Sequence, residues 1–281
     1  MTLLTHHPLP PDAAWPAPTR GRTTPAAPAP TWLAPLQARA LGDRLFPRLA
    51  IGDAHAPRLL QLAGVDADTV RSPRSAVAGV LARTHAMRAA AARFFDRHPR
   101  GLGVSLGAGL SHPFQWLDNG SNRWIDVDLP EVAQLRQCWL PPEHARRQTA
   151  HADLAGAGWW QRLGLPSGRH EAPVLLLAED LVHHLDPAAV QRLLWNVGQY
   201  APPGSMLLLD ALAWPLARRV GPDAFGLRRS AELAALHPRL RLDAVHPTFR
   251  RHSAWHRLAS PLFQVLFGVP AVAVYELGVD A

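Results

Sequence analysis

Gly107 and Gly109 follow an apolar run, Gly103-Val-Ser-Leu106, and Asp128 closes a second run, Arg123-Trp-Ile-Asp-Val-Asp128. Glycines without a Cβ let the backbone turn sharply behind a strand and bring main-chain N–H groups close to a ligand. An acidic side chain about 20 residues further on, at the end of the next strand, can accept hydrogen bonds from both hydroxyls of a ribose. Gly107-Ala108-Gly109 continues as Leu110-Ser111-His112, without the third glycine that close packing around a pyrophosphate needs. The pattern therefore favours S-adenosylmethionine, which has a ribose but no phosphate, over NAD. The same residues also suit a plain strand-turn-helix corner.

Three further carboxylates sit at expected strand ends: Asp153 in His151-Ala-Asp-Leu154, Glu179 in Leu177-Ala-Glu-Asp180, and Asp210. Ligands of open parallel sheets bind outside the carboxyl ends of the strands, so these groups should ring one crevice with Asp128. Asp and Glu also cap helices after strands, a role that suits Asp180 and the Asp186 ahead of Pro187. His183-His184 could overhang that crevice, where a neutral imidazole can take a proton, or one of the pair could face solvent while the other packs; His184 and His112 are the candidates for orienting or deprotonating an acceptor. His183, His184, Glu179 and Asp210 are metal-ligand types, but without His-x-x-x-His or comparable spacing no metal is predicted. The cluster His246, His252, Trp255 and His256 suits a lid surface or a loop.

These residues need a scaffold, and short apolar runs alternating with helical stretches supply one. Strands are predicted at Gly103–Leu106, Trp124–Val127, Pro173–Ala178, Ser205–Asp210 and Ala271–Glu276, apolar on both faces as in a covered parallel sheet. Helices are predicted at Ser75–Phe95, around Val132–Cys138, and at Pro187–Tyr200, with smaller ones between Trp32 and Leu62. Residues 1–35 contain nine prolines and read as a poorly ordered arm. The remainder, 36–281, reads as one domain: helices and lid over 36–100, a cofactor-binding core over 101–211, and a lid segment with C-terminal strands over 212–281.

Composition removes several alternatives. The chain has 281 residues, a net charge of +7 and no lysine, which excludes P-loop phosphate binding, Schiff-base chemistry and lysine bases. Its arginines occur singly or in pairs such as Arg146-Arg147 and Arg228-Arg229, so a solvated surface explains the charge better than nucleic-acid binding does. The lone cysteine, Cys138, forms no internal disulfide and reads as helix packing. Without a membrane-length apolar run or a basic-then-apolar leader, a soluble, cytoplasmic protein is expected. The expected partner is a small-molecule acceptor, not nucleic acid or a membrane, with a homodimer left open.

From Ala82 to Ala211 the chain resembles the S-adenosylmethionine-dependent leucine carboxyl methyltransferases and their relatives, the polyketide O-methyltransferases of tetracenomycin type. Leu81-Ala-Arg-Thr84, Val104-Ser-Leu-Gly-Ala-Gly-Leu110, Trp124-Ile-Asp-Val-Asp-Leu-Pro-Glu-Val132, Ala152-Asp-Leu154 and Leu177-Ala-Glu179 follow that family's motifs in order. The resemblance implies that Arg83 holds the methionine carboxylate, that Gly107, Ala108, Gly109, Asp128 and Leu129 cradle the ribose side, that Asp153 and Leu154 contact adenine, and that Glu179 lies beneath the cofactor. A guanidinium can take a carboxylate bidentately. The chain departs from the family at Ser111-His112-Pro113, where Asp-Thr-Arg is usual, and at Asp180 and His184, which replace a glycine and a tyrosine. The N-terminal arm also lacks the family's lysine.

The resulting expectation is an α/β class I methyltransferase core, Rossmann-like, with a mostly parallel sheet, helices on both faces and a helical lid. Its expected activity is methyl transfer from S-adenosyl-L-methionine to a carboxylate or hydroxyl of a small polyketide-like acceptor, releasing S-adenosyl-L-homocysteine. Trp159, Trp160, Trp214, Phe225 and Trp255 are candidates for an apolar acceptor pocket. The alternatives are a protein C-terminal carboxyl methyltransferase and a repurposed fold that binds the cofactor without ordinary transfer.

Overall fold

The computed structural model describes residues 30–66, 73–248 and 263–281. Helix α1 (Pro30–Leu45), α2 (Ala56–Leu62) and α3 (Arg74–Arg97) precede an α/β core. The core runs β1 (Leu102–Leu106), α4 (Phe114–Leu117), β2 (Arg123–Asp128), α5 (Pro130–Trp139), β3 (Arg147–His151), α6 (Trp159–Arg162), β4 (Val174–Ala178), α7 (Pro187–Tyr200), β5 (Met206–Leu212), α8 (Trp214–Val220), β6 (Leu240–Pro247) and β7 (Val272–Val279). The seven strands form one sheet in the order β3-β2-β1-β4-β5-β7-β6.

Strands β3, β2, β1, β4 and β5 are parallel, whereas β7 inserts antiparallel between β5 and β6. The strand order reverses between β1 and β4, the point where such sheets open a ligand crevice. β1 and β4 are buried along their whole length, which explains why they were legible as unbroken apolar runs. The strands without predicted bounds are β3, Arg-Gln-Thr-Ala-His, expected only as a strand end near Asp153, and β6, Leu-Arg-Leu-Asp-Ala-Val-His-Pro. Both are edge strands with polar outer positions, so their sequence carries little apolar signal.

Helix α3 is built from Ala, Arg and Leu, strong helix formers, and buries Val77, Leu81 and Phe94. Helix α7 starts at Asp186, whose Oδ1 accepts from the Ala189 N–H at 2.8 Å, with Pro187 in its first turn. Helix α1 begins at Pro30, so the arm boundary drawn at residue 35 falls inside a helix. Cys138 is exposed on α5 and is not a packing residue. Among the described residues no helix is long and apolar enough to cross a membrane.

Candidate active site

A cavity of about 280 Å³ opens at the carboxyl ends of β1, β2 and β4. Its walls include Gly107, Ala108, Gly109, Asp128, Glu179, Asp180, His184 and Arg83, together with Trp32, Pro35 and Arg39 from α1. Six of the residues expected from sequence to hold the cofactor therefore meet in one place, brought there by the ends of three strands and the middle of α3.

The turn after β1 is left-handed at both glycines, with φ +64° at Gly107 and +49° at Gly109. A Cβ on Gly107 would meet Leu181 Cδ1 at 2.7 Å, whereas at Gly109 nothing lies within 4 Å, which leaves the ligand side open. Asp128 spans the turn: its Oδ2 accepts from the Gly109 N–H at 2.7 Å and its Oδ1 from the Leu129 N–H at 2.8 Å. Each oxygen keeps a lone pair for a hydroxyl donor. Burial pushes the Asp128 carboxyl above its usual range, against the two backbone hydrogen bonds that hold it down.

Arg83 is buried among three carboxylates. Its Nε donates to Glu179 Oε1 at 3.2 Å, and Nη1 donates to Asp180 Oδ1 at 2.8 Å and to Asp210 Oδ2 at 3.0 Å. Burial disfavours the guanidinium charge, yet Asp180, Asp210 and Glu179 raise its affinity for the proton. Burial likewise works against Asp180, but Arg83 and His183 outweigh it and hold that carboxyl well below the usual range. With Nε and Nη1 committed, the expected bidentate grip on a ligand carboxylate is replaced by a single donor edge at Nη2.

Two cavity residues carry buried polar atoms without a hydrogen-bond partner, Nη2 of Arg83 and Oγ of Ser111. Unsatisfied buried groups are rare in folded proteins and mark places where a ligand supplies the missing partner. An open left-handed glycine turn, a ribose-type aspartate and two unpaired polar atoms fit an amino-acid nucleoside. The family model described as leucine carboxyl methyltransferase matches residues 33–198. The chain belongs to this family.

Leucine carboxyl methyltransferase family membership makes it an S-adenosylmethionine-dependent methyltransferase. It is 33% identical over 187 residues to the tetracenomycin polyketide synthesis O-methyltransferase TcmP of Streptomyces glaucescens, covering 66% of this chain and 67% of that protein. In fold it is similar to a Thermobifida fusca YX crystal structure (TM-score 0.55, 16% identity, 90% of this chain and 96% of that one). It is also similar to a DUF574 family protein of Streptomyces avermitilis (TM-score 0.51, 17% identity, 91% and 99%).

Other expected site residues lie elsewhere. Asp153 is exposed beyond β3, outside the cavity walls, and its Oδ1 accepts from the Ala155 N–H at 2.9 Å in a turn. Leu154 belongs to the hydrophobic core, while Leu129 is exposed beside Asp128. His112 is withdrawn as a candidate base: it is buried behind the turn, edge-on to His55, with Nδ1 3.2 Å from Arg147 Nη1. Burial, then the charges of Arg147 and Arg136, push its imidazole down to about 2. Trp159 and Trp160 are fully buried core, Trp214 and Phe225 line neither this cavity nor the one described next, and Trp255 lies outside the described residues.

A second cavity, about 370 Å³, adjoins the first through Arg83 and Asp180, which wall both. Val80, Leu212, Val220 and Val272 give it apolar sides, and His183 and Asp210 contribute polar groups. The ligand-type atoms of Asp180, His183 and His184 lie within 4.8 Å of one another. The Arg83 guanidinium, 2.8 Å from the Asp180 carboxylate, opposes a metal cation there.

Sequence reasoning missed Arg39, Asp126 and Arg136. Asp126 Oδ2 ion-pairs with Arg136 Nη2 at 2.6 Å, both side chains being inaccessible to water. Arg136 Nη1 in turn donates to the carbonyls of Gly109 at 2.6 Å and Ser111 at 2.7 Å, fixing the glycine turn from behind. A signal existed: Val132 and Arg136 are four apart on α5, so this arginine shares the helix's buried face.

Proposed function

We propose that this methyltransferase is O-directed and acts on a hydroxyl or carboxylate of a small, polyketide-like acceptor. The observation that carries this reading is the pair of adjoining cavities, one walled by the glycine turn, Asp128 and Glu179, the other largely apolar, with Arg83 and Asp180 between them. Similarity to TcmP supports the same class of acceptor.

When bound, S-adenosylmethionine supplies a sulfonium methyl group that is displaced in line. Asp128 receives the ribose hydroxyls, and the backbone of Gly107 to Gly109 allows close approach. Arg83 Nη2 and Ser111 Oγ meet the amino-acid end, with Arg39, fixed by its 2.8 Å pair to Asp53, as a second cation on the same wall. Glu179, Asp180 and Asp210 make the surroundings acidic, which suits the ammonium and sulfonium charges of the donor. Leu129, exposed beside Asp128, is the side open to adenine. His184, on the cavity wall, with its proton affinity lowered by partial burial and by neighbouring His183, orients the acceptor oxygen. Much of the rate then comes from holding that oxygen against the methyl carbon.

Calorimetry with S-adenosylmethionine, S-adenosylhomocysteine and NAD, followed by labelled methyl transfer to polyketide-like phenols and acids, tests the reading. Binding of both sulfur nucleosides and alkali-stable or alkali-labile label on small acceptors is expected. Transfer only to protein or to nitrogen acceptors would overturn it.

A further inference from the structure

Asp180 is the only non-glycine residue with a positive φ, 62°, among the described residues. L-residues adopt that conformation against a steric penalty, and here the Asp180 N–H is anchored on Asp210 Oδ1 at 2.7 Å. The carboxylate is thereby turned to bridge Arg83 Nη1 at 2.8 Å and His183 Nε2 at 2.7 Å. A carboxylate at neutral pH only accepts hydrogen bonds, so Nε2 of His183 carries the hydrogen and Nδ1 holds the lone pair. That Nδ1 is shielded from water and has no hydrogen-bond partner, although His183 is a wall of the apolar cavity.

We propose that His183, oriented by Asp180, is the proton acceptor of this enzyme and that the group methylated is a phenolic hydroxyl held in the cavity beside them. This rests on the oxygen-directed reading above. His183 Nδ1 takes the hydroxyl proton while an oxygen electron pair forms the bond to the methyl carbon and the carbon–sulfur pair stays with sulfur. The imidazolium so formed faces Asp180 and Asp210, which stabilise it, and Arg83 and His184, which oppose it; Glu179 lies on the far side of Arg83. Burial disfavours the imidazolium, but the Asp180 hydrogen bond and the two aspartate charges raise its affinity for a proton overall.

Electrostatics separates a phenol from a carboxylic acid. Three carboxylates surround a single guanidinium at the junction of the cavities, so an anionic acceptor would be repelled. A carboxylic acid is already ionised at neutral pH and has no use for a base, whereas a phenol, ionising near pH ~10, is neutral and needs one.

The test pairs 4-phenylphenol with 4-phenylbenzoic acid, equal in size and different in the acceptor group. On the full chain loaded with S-adenosylhomocysteine, the phenol should bind at least about tenfold more tightly, read by fluorescence. With the methyl donor, His183→Gln and Asp180→Asn should lower kcat on the phenol by about 10²–10⁴-fold and about tenfold or more, respectively. Their thermal midpoints and their KM for the donor check that fold and cofactor site survive. The pH profile of kcat/KM should lose its acid limb in His183→Gln. Preference for the acid, retained kcat in His183→Gln, or loss of activity with a chelator would overturn the proposal. Failure to bind S-adenosylhomocysteine would instead sink the cofactor reading beneath it.

Discussion

Arg136 Nη1 donates to the Gly109 carbonyl at 2.6 Å, so the glycine turn on the cavity wall is held by a buried cation on the helix that follows β2. Its charge is balanced by Asp126, itself bound to Trp124 Nε1 at 2.9 Å. Replacing Arg136 with Met leaves Asp126 buried without this partner, and the loss of stability should be about 3–5 kcal/mol. Urea unfolding of Arg136→Met measures it; a change below about 1 kcal/mol would mean that Arg147, 3.4 Å from the same carboxylate, suffices alone.

Asp128→Asn removes the charge proposed to receive the ribose and turns one of the two oxygens that accept from the Gly109 and Leu129 N–H groups into a donor, so its thermal midpoint should fall as well. A hydrogen bond to a charged group contributes about 1.5–3 kcal/mol, so affinity for S-adenosylhomocysteine should fall about 10- to 150-fold. Calorimetry at fixed pH reads this directly. An unchanged dissociation constant would remove Asp128 from the ribose.

Gly109→Ala probes the same cradle from the backbone. At φ +49° a side chain costs about 1 kcal/mol, with no steric clash inside the protein. A small drop in thermal midpoint should therefore accompany a larger drop in cofactor affinity, since the methyl enters the ligand's space. Equal affinity with the same midpoint shift would show that the ligand does not pass over Gly109.

The turn, Asp128 and the central strands were legible because apolar runs and glycine spacing are local signals. The bounds of edge strands β3 and β6 were not, since their outer faces are polar. The roles of single side chains depended on distant partners: Asp180 looked like a helix cap, yet Arg83, 97 positions earlier, and His183 determine what its carboxylate does. His112 and His184 look alike in sequence, but one is packed against His55 and Arg147 and the other lines the cavity. Trp159 and Trp160, read as pocket walls, are core because α6 turns them under the sheet.

His112 makes stability fall as pH drops below neutral. Its folded-state value of about 2 lies below the ~6.5 of an unfolded chain, so the unfolded state binds more protons below pH ~6.5 and is favoured there. Between pH 6.5 and 5 this amounts to about 2 kcal/mol. His112→Asn, whose Oδ1 can accept from Arg147, should flatten that part of the stability profile measured by denaturant unfolding. A profile as steep as the parent's would assign the acid sensitivity to another group.

The structural role of Arg83 shows in how the cost of removing it changes with pH. In the parent protein Asp180 is depressed by Arg83, so its contribution to stability is present above the unfolded carboxylate value of ~3.9 and is lost only as pH falls below it. In Arg83→Met the three carboxylates face one another without the guanidinium, and their proton affinities must rise. The variant should lose about 3–5 kcal/mol at pH 7, and its gap to the parent should narrow at pH 5, His112 acting equally in both. Cofactor affinity should also fall more in Arg83→Met than in Asp210→Asn, because only the first removes the unpaired Nη2 donor. A stability gap that narrows as pH falls, together with that ranking in calorimetry, would place Arg83 in both roles. Parallel slopes would mean that the acidic cluster does not depend on it.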